Sequence, residues 1–504
     1  MESLNARYEQ LDQGRTRNSS SLPSLLHQDP SPPLIPQRTR SRMWFVRICS
    51  AILIWTCLVH LFTVGHLWDR RFSIRSVSPL PSPSFPLLAP ARIYKSNGYL
   101  KVSCNGGLNQ MRSAICDMVT VARLLNLTLL LPELDKTSFW ADQSEFGDIF
   151  NVEHFIHTLR SEVHIVEGLP KNLQQEFSNT TLIMPPVSWS SEAYYLQEIL
   201  PLFQKYKVIH FKKIDARLAN NGLSMELQKL RCYVNYHALK FTEQIEVLGN
   251  KLIHILKERG SFVALHLRYE MDMLAFSGCT HGCSEEEVEE LKRMRYAYPW
   301  WREKEIISEQ RRMLGMCPLT PEETSLVLQA IGLERDIQIY IASGEIYGSQ
   351  KRLKELHSSF PRLVKKEILL NPEELKQFQN HSSQMAALDY LVSIASDVFI
   401  PTFDGNMAKV VEGHRRYLGF KKSIVLDRRK LMELLDSYTN QTVSWNEFVS
   451  AVQLIHENRM GQPAPRKAIS DKPKEEDYFY SNPQECLCNA QTACRTIGNE
   501  KGVT

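Results

Sequence analysis

Hydrophobic and polar positions fall into three regimes along the chain. Residues 48–67 hold no Asp, Glu, Lys or Arg and are mostly Ile, Leu, Val, Phe, Cys and Trp. From residue 94 onward, short apolar runs alternate with segments whose apolar residues recur at helical spacing. The remainder is polar and rich in Ser or Pro. In the second regime the pattern predicts strands at 99–103, 127–131, 163–166 and 208–211, then at 262–267, 337–341, 363–367 and 398–401. Helices are predicted at 109–125, where Met111, Ile115, Met118, Val119 and Ala122 share a face, and at 284–294, 321–331, 349–356 and 383–394. Strands alternating with helices predict parallel sheets of the α/β class. Two such series predict two Rossmann-like halves with a cleft between them, parting near 258–261. No repeat of fixed period is present.

About 20 apolar residues make a helix of roughly 30 Å, enough to cross a bilayer core. A secretory signal would start within the first few residues and end in small ones. Here about 40 polar residues come first and the run ends at Leu67 and Trp68, so a transmembrane anchor is expected. Arg38, Arg40, Arg42 and Arg47 precede it, against Arg70, Arg71 and Arg75 with Asp69 behind it. That bias puts the N-terminus in the cytosol and the rest in a lumen. N-glycosylation sequons at Asn126, Asn179, Asn380 and Asn440 fit that side, as do nine of the eleven cysteines. Residues 1–42 read as a disordered tail, 43–67 as the signal-anchor and 68–93 as an extended Pro/Ser stem. The folded part divides into 94–259 and 260–455, followed by a tail at 456–504. A net charge of +4 on 504 residues, without a basic block, argues against nucleic acid as a partner.

Five constellations carry candidate chemistry. Gly106, Gly107 and Asn109 lie between a strand end and a helix start, where glycines let a ligand approach the backbone and the helix favours anions. A plain tight turn would look the same. His266 and Arg268 share one face at the end of a strand, where ligands of parallel sheets bind. Arg268 could grip a diphosphate with its planar fork, or pair with Glu270 or Asp272. Ser343 and Glu345 sit in a small-residue turn after another strand, and Asp404, Gly405 and Asn406 in a polar turn after the last. Such turns offer N–H groups to phosphate oxygens or simply connect strand to helix. Tyr298, Trp300 and Trp301 crowd a Pro-interrupted loop, suited to covering sugar rings or to packing under the core. Cys279 and Cys283 flank His281; with no second pair at zinc spacing, a disulfide is expected rather than metal. No Asp-x-Asp stands at a strand end, so metal-independent chemistry without a cofactor is expected.

Taken together, SNGYLKVSCNGGLNQMR, LPELDKTSFW, ALHLRYEMDMLAFSGC, MRYAYPWW, IYIASGEIYG and FIPTFDGNMAKVVEGHRR resemble the plant O-fucosyltransferase superfamily over about residues 94–432. LIWTCLVHL, the CTHGC–YAYPWW region and KPKEEDYFYSNPQECL are similar to its rhamnogalacturonan I rhamnosyltransferase branch. The resemblance implies a GT-B fold, an inverting glycosyltransferase that moves a 6-deoxyhexose, and a nucleotide-sugar donor: UDP-rhamnose with the pectic rhamnogalacturonan I of the cell wall as acceptor, or GDP-fucose with a protein or glycan acceptor. It implies that His266 and Arg268 grip the donor diphosphate and that Asp389 and Asp397 lie beside its base. Asp404, Gly405 and Asn406 would form the phosphate-side turn, and Gly106, Gly107 and Asn109 the acceptor-side loop. Some relatives carry a Glu in that loop as general base; Gly106 stands there, which leaves the base open. With the anchor, the implied place is the Golgi membrane, type II, with a homo-oligomer or an enzyme complex left open. The rival of another class is a non-catalytic Golgi scaffold.

Overall fold

The computed structural model describes residues 90–487, except 141, 176–179, 303–305, 420, 464–465 and 467–477 and the side chain of Trp300. The expected anchor at 48–67, the cytosolic tail, nearly all of the stem and Asn179 lie outside the described residues. Among the described residues no helix is long and apolar enough to cross a membrane.

The first sheet takes β1 (Tyr99–Ser103), β2 (Thr128–Leu130), β3 (Ile165–Val166), β4 (Thr181–Met184) and β5 (Val208–Lys212). The order is β3-β2-β1-β5-β4 and every pairing is parallel, with Leu100 opposite both Leu129 and Ile209. The second takes β6 (Phe262–His266), β7 (Gln338–Ile341), β8 (Leu363–Val364) and β9 (Val398–Pro401) in the order β8-β7-β6-β9, again all parallel. β6 and β7 are buried along their whole length, as strands covered on both faces must be.

In each sheet the chain winds outward one way and then crosses to the other side of its first strand. The switch points fall between β1 and β5 and between β6 and β9. Open α/β sheets bind ligands outside the carboxyl ends of the strands at such points.

Three differences from the sequence reading have physical causes. The expected strand at 363–367 stops at Val364, because the chain turns into a short helix, Lys366–Leu369, that sinks the Lys366 ammonium into the interior. β4 was not expected: at the edge of its sheet it is largely half-exposed and leaves little apolar signal. Part of the expected tail is folded. Phe479 and Tyr480 are buried, and Cys486 is joined to Cys232. The Tyr480 hydroxyl donates to Asp117 at 2.8 Å, and buried Arg231 meets the same carboxylate at 2.8 Å while lying over both rings.

The cores interlock. Residues of β7, β9 and the two helices Ser382–Ala395 and Asn406–Tyr417 pack into the core built on the first sheet. Asp142 receives the Ser383 N–H at 2.6 Å, seating the first of these helices on the loop that follows β2.

Candidate active site

At the first switch point β1 runs into Asn105, Gly106 and Gly107, and the helix Leu108–Leu124 begins. Gly106 is in the left-handed region, φ +90°, which a side chain would resist. Its N–H donates to Asp135 at 2.6 Å. A Cβ there would overlap the Gln110 side chain. Gln110 instead donates to Asp215 at 2.7 Å, and the Asp215 N–H donates to the Asn105 side chain at 3.1 Å. Gly107 lies under the Trp140 ring, 3.6 Å from where its Cβ would stand. Trp140 is 37% exposed. Asn109 is buried, and its amide oxygen has no hydrogen-bond partner among the described residues.

At the second switch point His266 is buried with Nδ1 2.8 Å from the Ala342 carbonyl. A carbonyl only accepts, so Nδ1 carries the proton and Nε2 is the free acceptor. Burial lowers its pKa and keeps the ring neutral. Arg268 donates to both oxygens of Asp272, at 3.0 and 2.6 Å, and stands 2.7 Å from Glu270. Burial alone would lower its pKa, but Glu270 and Asp272 outweigh it and hold the charge. The planar fork is therefore occupied by the ion pairs that were the structural alternative for this residue. Glu270 holds Arg268 by charge through Oε2, and its Oε1 accepts the Gly344 N–H at 3.3 Å.

Ser343 is buried; its hydroxyl donates to the Gly344 carbonyl at 3.3 Å and its own carbonyl accepts from Lys366 at 3.0 Å, while Glu345 is exposed. Gly405 caps the helix Asn406–Tyr417, with Asp404 and Asn406 exposed beside it. Arg428 lies over the Phe403 ring at 4.7 Å; its Nε reaches the Gly315 carbonyl at 2.9 Å, and its terminal nitrogens have no hydrogen-bond partner among the described residues.

Several expected site residues are placed differently. Asp397 receives the Phe262 N–H at 2.8 Å, so it sits at the amino ends of β6 and β9. Four residues of strand, about 13 Å, separate that edge from His266. Asp389 is buried and accepts from Lys366 at 2.8 Å and from Tyr340 at 2.7 Å, so it faces the interior. Burial would strip Lys366 of its proton, but Asp389 more than offsets this and the ammonium stays charged. Trp301 is only 8% exposed and packs against Tyr298 at 4.4 Å, Phe276 at 5.8 Å and Phe139 at 6.1 Å. It belongs to the core, while Trp140 and Phe276 nearby are partly exposed. Cys279 pairs with Cys317, 38 residues on, and leaves Cys283 as a free thiol. Sequence proximity had suggested the shorter loop. Of the sequons, Asn380 and Asn440 are exposed, while Asn126 is half-buried with its side-chain oxygen held by Arg92 at 2.7 Å.

Tyr478 draws the two switch points together. Its hydroxyl donates to Ser113, on the helix that starts at Leu108, at 2.6 Å. Lys409, on the helix that starts at Asn406, lies 5.2 Å above its ring. The residues that sequence alone did not single out are Asp215, Gln110, Trp140, Arg428 and Lys366. Asp215 could have been found from its place three residues past a strand end. Arg428 carries no local signal.

Polar loops gather at the carboxyl edges of two parallel sheets, the edge at which open α/β sheets take their ligands, and the family and relatives of the chain make it a glycosyltransferase. The chain belongs to the family described as GDP-fucose protein O-fucosyltransferase, which matches residues 99–418. It is 64% identical over 486 residues to Rhamnogalacturonan I rhamnosyltransferase 1 of Arabidopsis thaliana, covering 94% of this chain and 96% of that one. It is 63% identical over 474 residues to Rhamnogalacturonan I rhamnosyltransferase 4 of the same plant, covering 94% and 98%. A crystal structure of POFUT1 in complex with GDP aligns with 66% of this chain and 100% of its own at 14% identity and a TM-score of 0.39, too slight a likeness to argue from.

Proposed function

We propose that the chain transfers rhamnose from UDP-rhamnose to rhamnogalacturonan I, with inversion, as a GT-B enzyme held in the Golgi membrane by residues 48–67. The observation that carries this is the 64% identity, over nearly the whole of both chains, to a protein named for that reaction. An acceptor hydroxyl oxygen attacks C1 of the sugar, the bond from C1 to the diphosphate breaks, and its electron pair leaves with the nucleoside diphosphate. The leaving charge meets the N-terminus of the helix Asn406–Tyr417 and the unpartnered nitrogens of Arg428. Arg268 joins them when the diphosphate takes the place of Glu270, while Asp272 keeps its fork oriented. His266, neutral, offers Nε2 as an acceptor to a donor hydroxyl. Trp140 presents a flat face beside the glycine loop to an acceptor sugar ring. No metal is assigned a part in this reading, which gives the leaving charge to Arg268, Arg428 and the N-terminus of that helix.

A second reading, GDP-fucose as donor, is favoured by the family's description. The test is a donor screen on the full-length protein in detergent with a rhamnogalacturonan I oligosaccharide. Rhamnose addition from UDP-rhamnose is the expected result. Fucose addition alone would replace the first reading by the second, and no transfer or donor cleavage with either would leave the scaffold.

A further inference from the structure

We propose that Asp215 is the general base that takes the proton of the acceptor hydroxyl, with Gln110 and Asn105 as its positioning residues; this rests on the transferase reading above. Asp215 lies three residues beyond β5, at the first sheet's switch point, beside the glycine loop that follows β1. One carboxylate oxygen is fixed by Gln110 at 2.7 Å and the backbone is fixed by Asn105 at 3.1 Å. The first contact depends on Gly106, since any side chain there would occupy the space of Gln110. Position 106 therefore supplies no carboxylate in this chain, and its empty space lets a carboxylate from the next strand's loop be held at the same loop.

The electrostatics suit the role. Burial pushes the Asp215 carboxyl up to about 6, the Gln110 hydrogen bond pulls it back, and Asp117 on the neighbouring helix adds to the rise. The other groups facing it are Arg217 on its own loop, the buried Cys104 thiol and Tyr478. A carboxylate tuned this way is ionised at neutral pH yet a stronger base than an ordinary Asp. As the acceptor oxygen bonds to the sugar C1, its proton passes to Asp215, the nucleoside diphosphate departs with the electron pair, and the half-buried carboxyl returns the proton to water.

The experiment is a pH–rate profile of the full-length protein with UDP-rhamnose and the pectic oligosaccharide, alongside nucleoside diphosphate binding and thermal unfolding. Wild-type kcat is expected to fall below about pH 6, and Asp215→Asn to lose about a hundredfold or more in kcat and the acid limb with it, while binding and unfolding hold. Gln110→Ala, which removes the hydrogen bond that lowers the pKa, should move the acid limb to higher pH. A structural part alone would lower the unfolding midpoint and weaken binding without moving that limb. Asp215→Asn with more than a tenth of wild-type kcat overturns the proposal. If that variant does not fold, an unmoved limb in Gln110→Ala overturns it. Wild-type protein inert toward every donor overturns the transferase reading itself, an outcome distinct from an active wild type with an active Asp215→Asn.

Discussion

Replacing Arg268 by Ala removes a guanidinium that is 17% exposed from a carboxylate that is 7% exposed. Asp272 and Glu270 are then left as like charges in a desolvated site. Removing one partner of a buried pair costs about 3–5 kcal/mol, most of it the penalty on the charge that remains. At about 2 °C per kcal/mol for a large domain, the unfolding midpoint should drop by roughly 6 °C or more. If Arg268 also meets the departing diphosphate, kcat should fall by a further hundredfold or so, ~3 kcal/mol. The two effects separate in a triple variant, Arg268→Ala with Glu270→Gln and Asp272→Asn, which leaves no unpaired charge. Its midpoint should recover most of the loss while its turnover at saturating donor stays low. Differential scanning calorimetry and initial rates give both readouts. A folded triple variant with more than a tenth of wild-type turnover would show that Arg268 serves the fold alone. An unchanged midpoint in the single variant would refute the charge argument.

Trp301→Ala should destabilise the protein by about 3–5 kcal/mol as a core deletion, whereas Trp140→Ala should raise the acceptor KM with the donor KM and the midpoint nearly unchanged; the reverse pattern would restore Trp301 to the acceptor site. Lys366→Met strands Asp389 beneath the second sheet and should cost about 3–5 kcal/mol in stability, with Lys366→Met plus Asp389→Leu recovering much of it by chemical denaturation. EDTA should leave transfer largely intact; loss of most activity, restored by manganese, would sink the metal-independent mechanism.

The alternation of apolar runs and helical faces was enough to determine the class and the two series of strands, because buried parallel strands and their covering helices must be apolar in those periods. The glycine loop, His266, Arg268 and the Asp404–Asn406 turn were also legible, since each follows a strand within a few residues. What the sequence could not decide was which polar groups meet across the fold. Whether Arg268 stands free or paired depends on the backbone turn that brings Asp272 one helical turn away. Asp389 and Asp397 look alike in the chain, yet one is locked to Lys366 in the interior and the other holds the amino end of a strand. Cys279 passes over its near neighbour for Cys317, and the segment at 478–487 folds back to bury two aromatic rings over Arg231. Asp215 becomes notable only because the missing side chain at Gly106 admits Gln110. Such contacts depend on the three-dimensional path of segments far apart in sequence, and local pattern carries no record of that path.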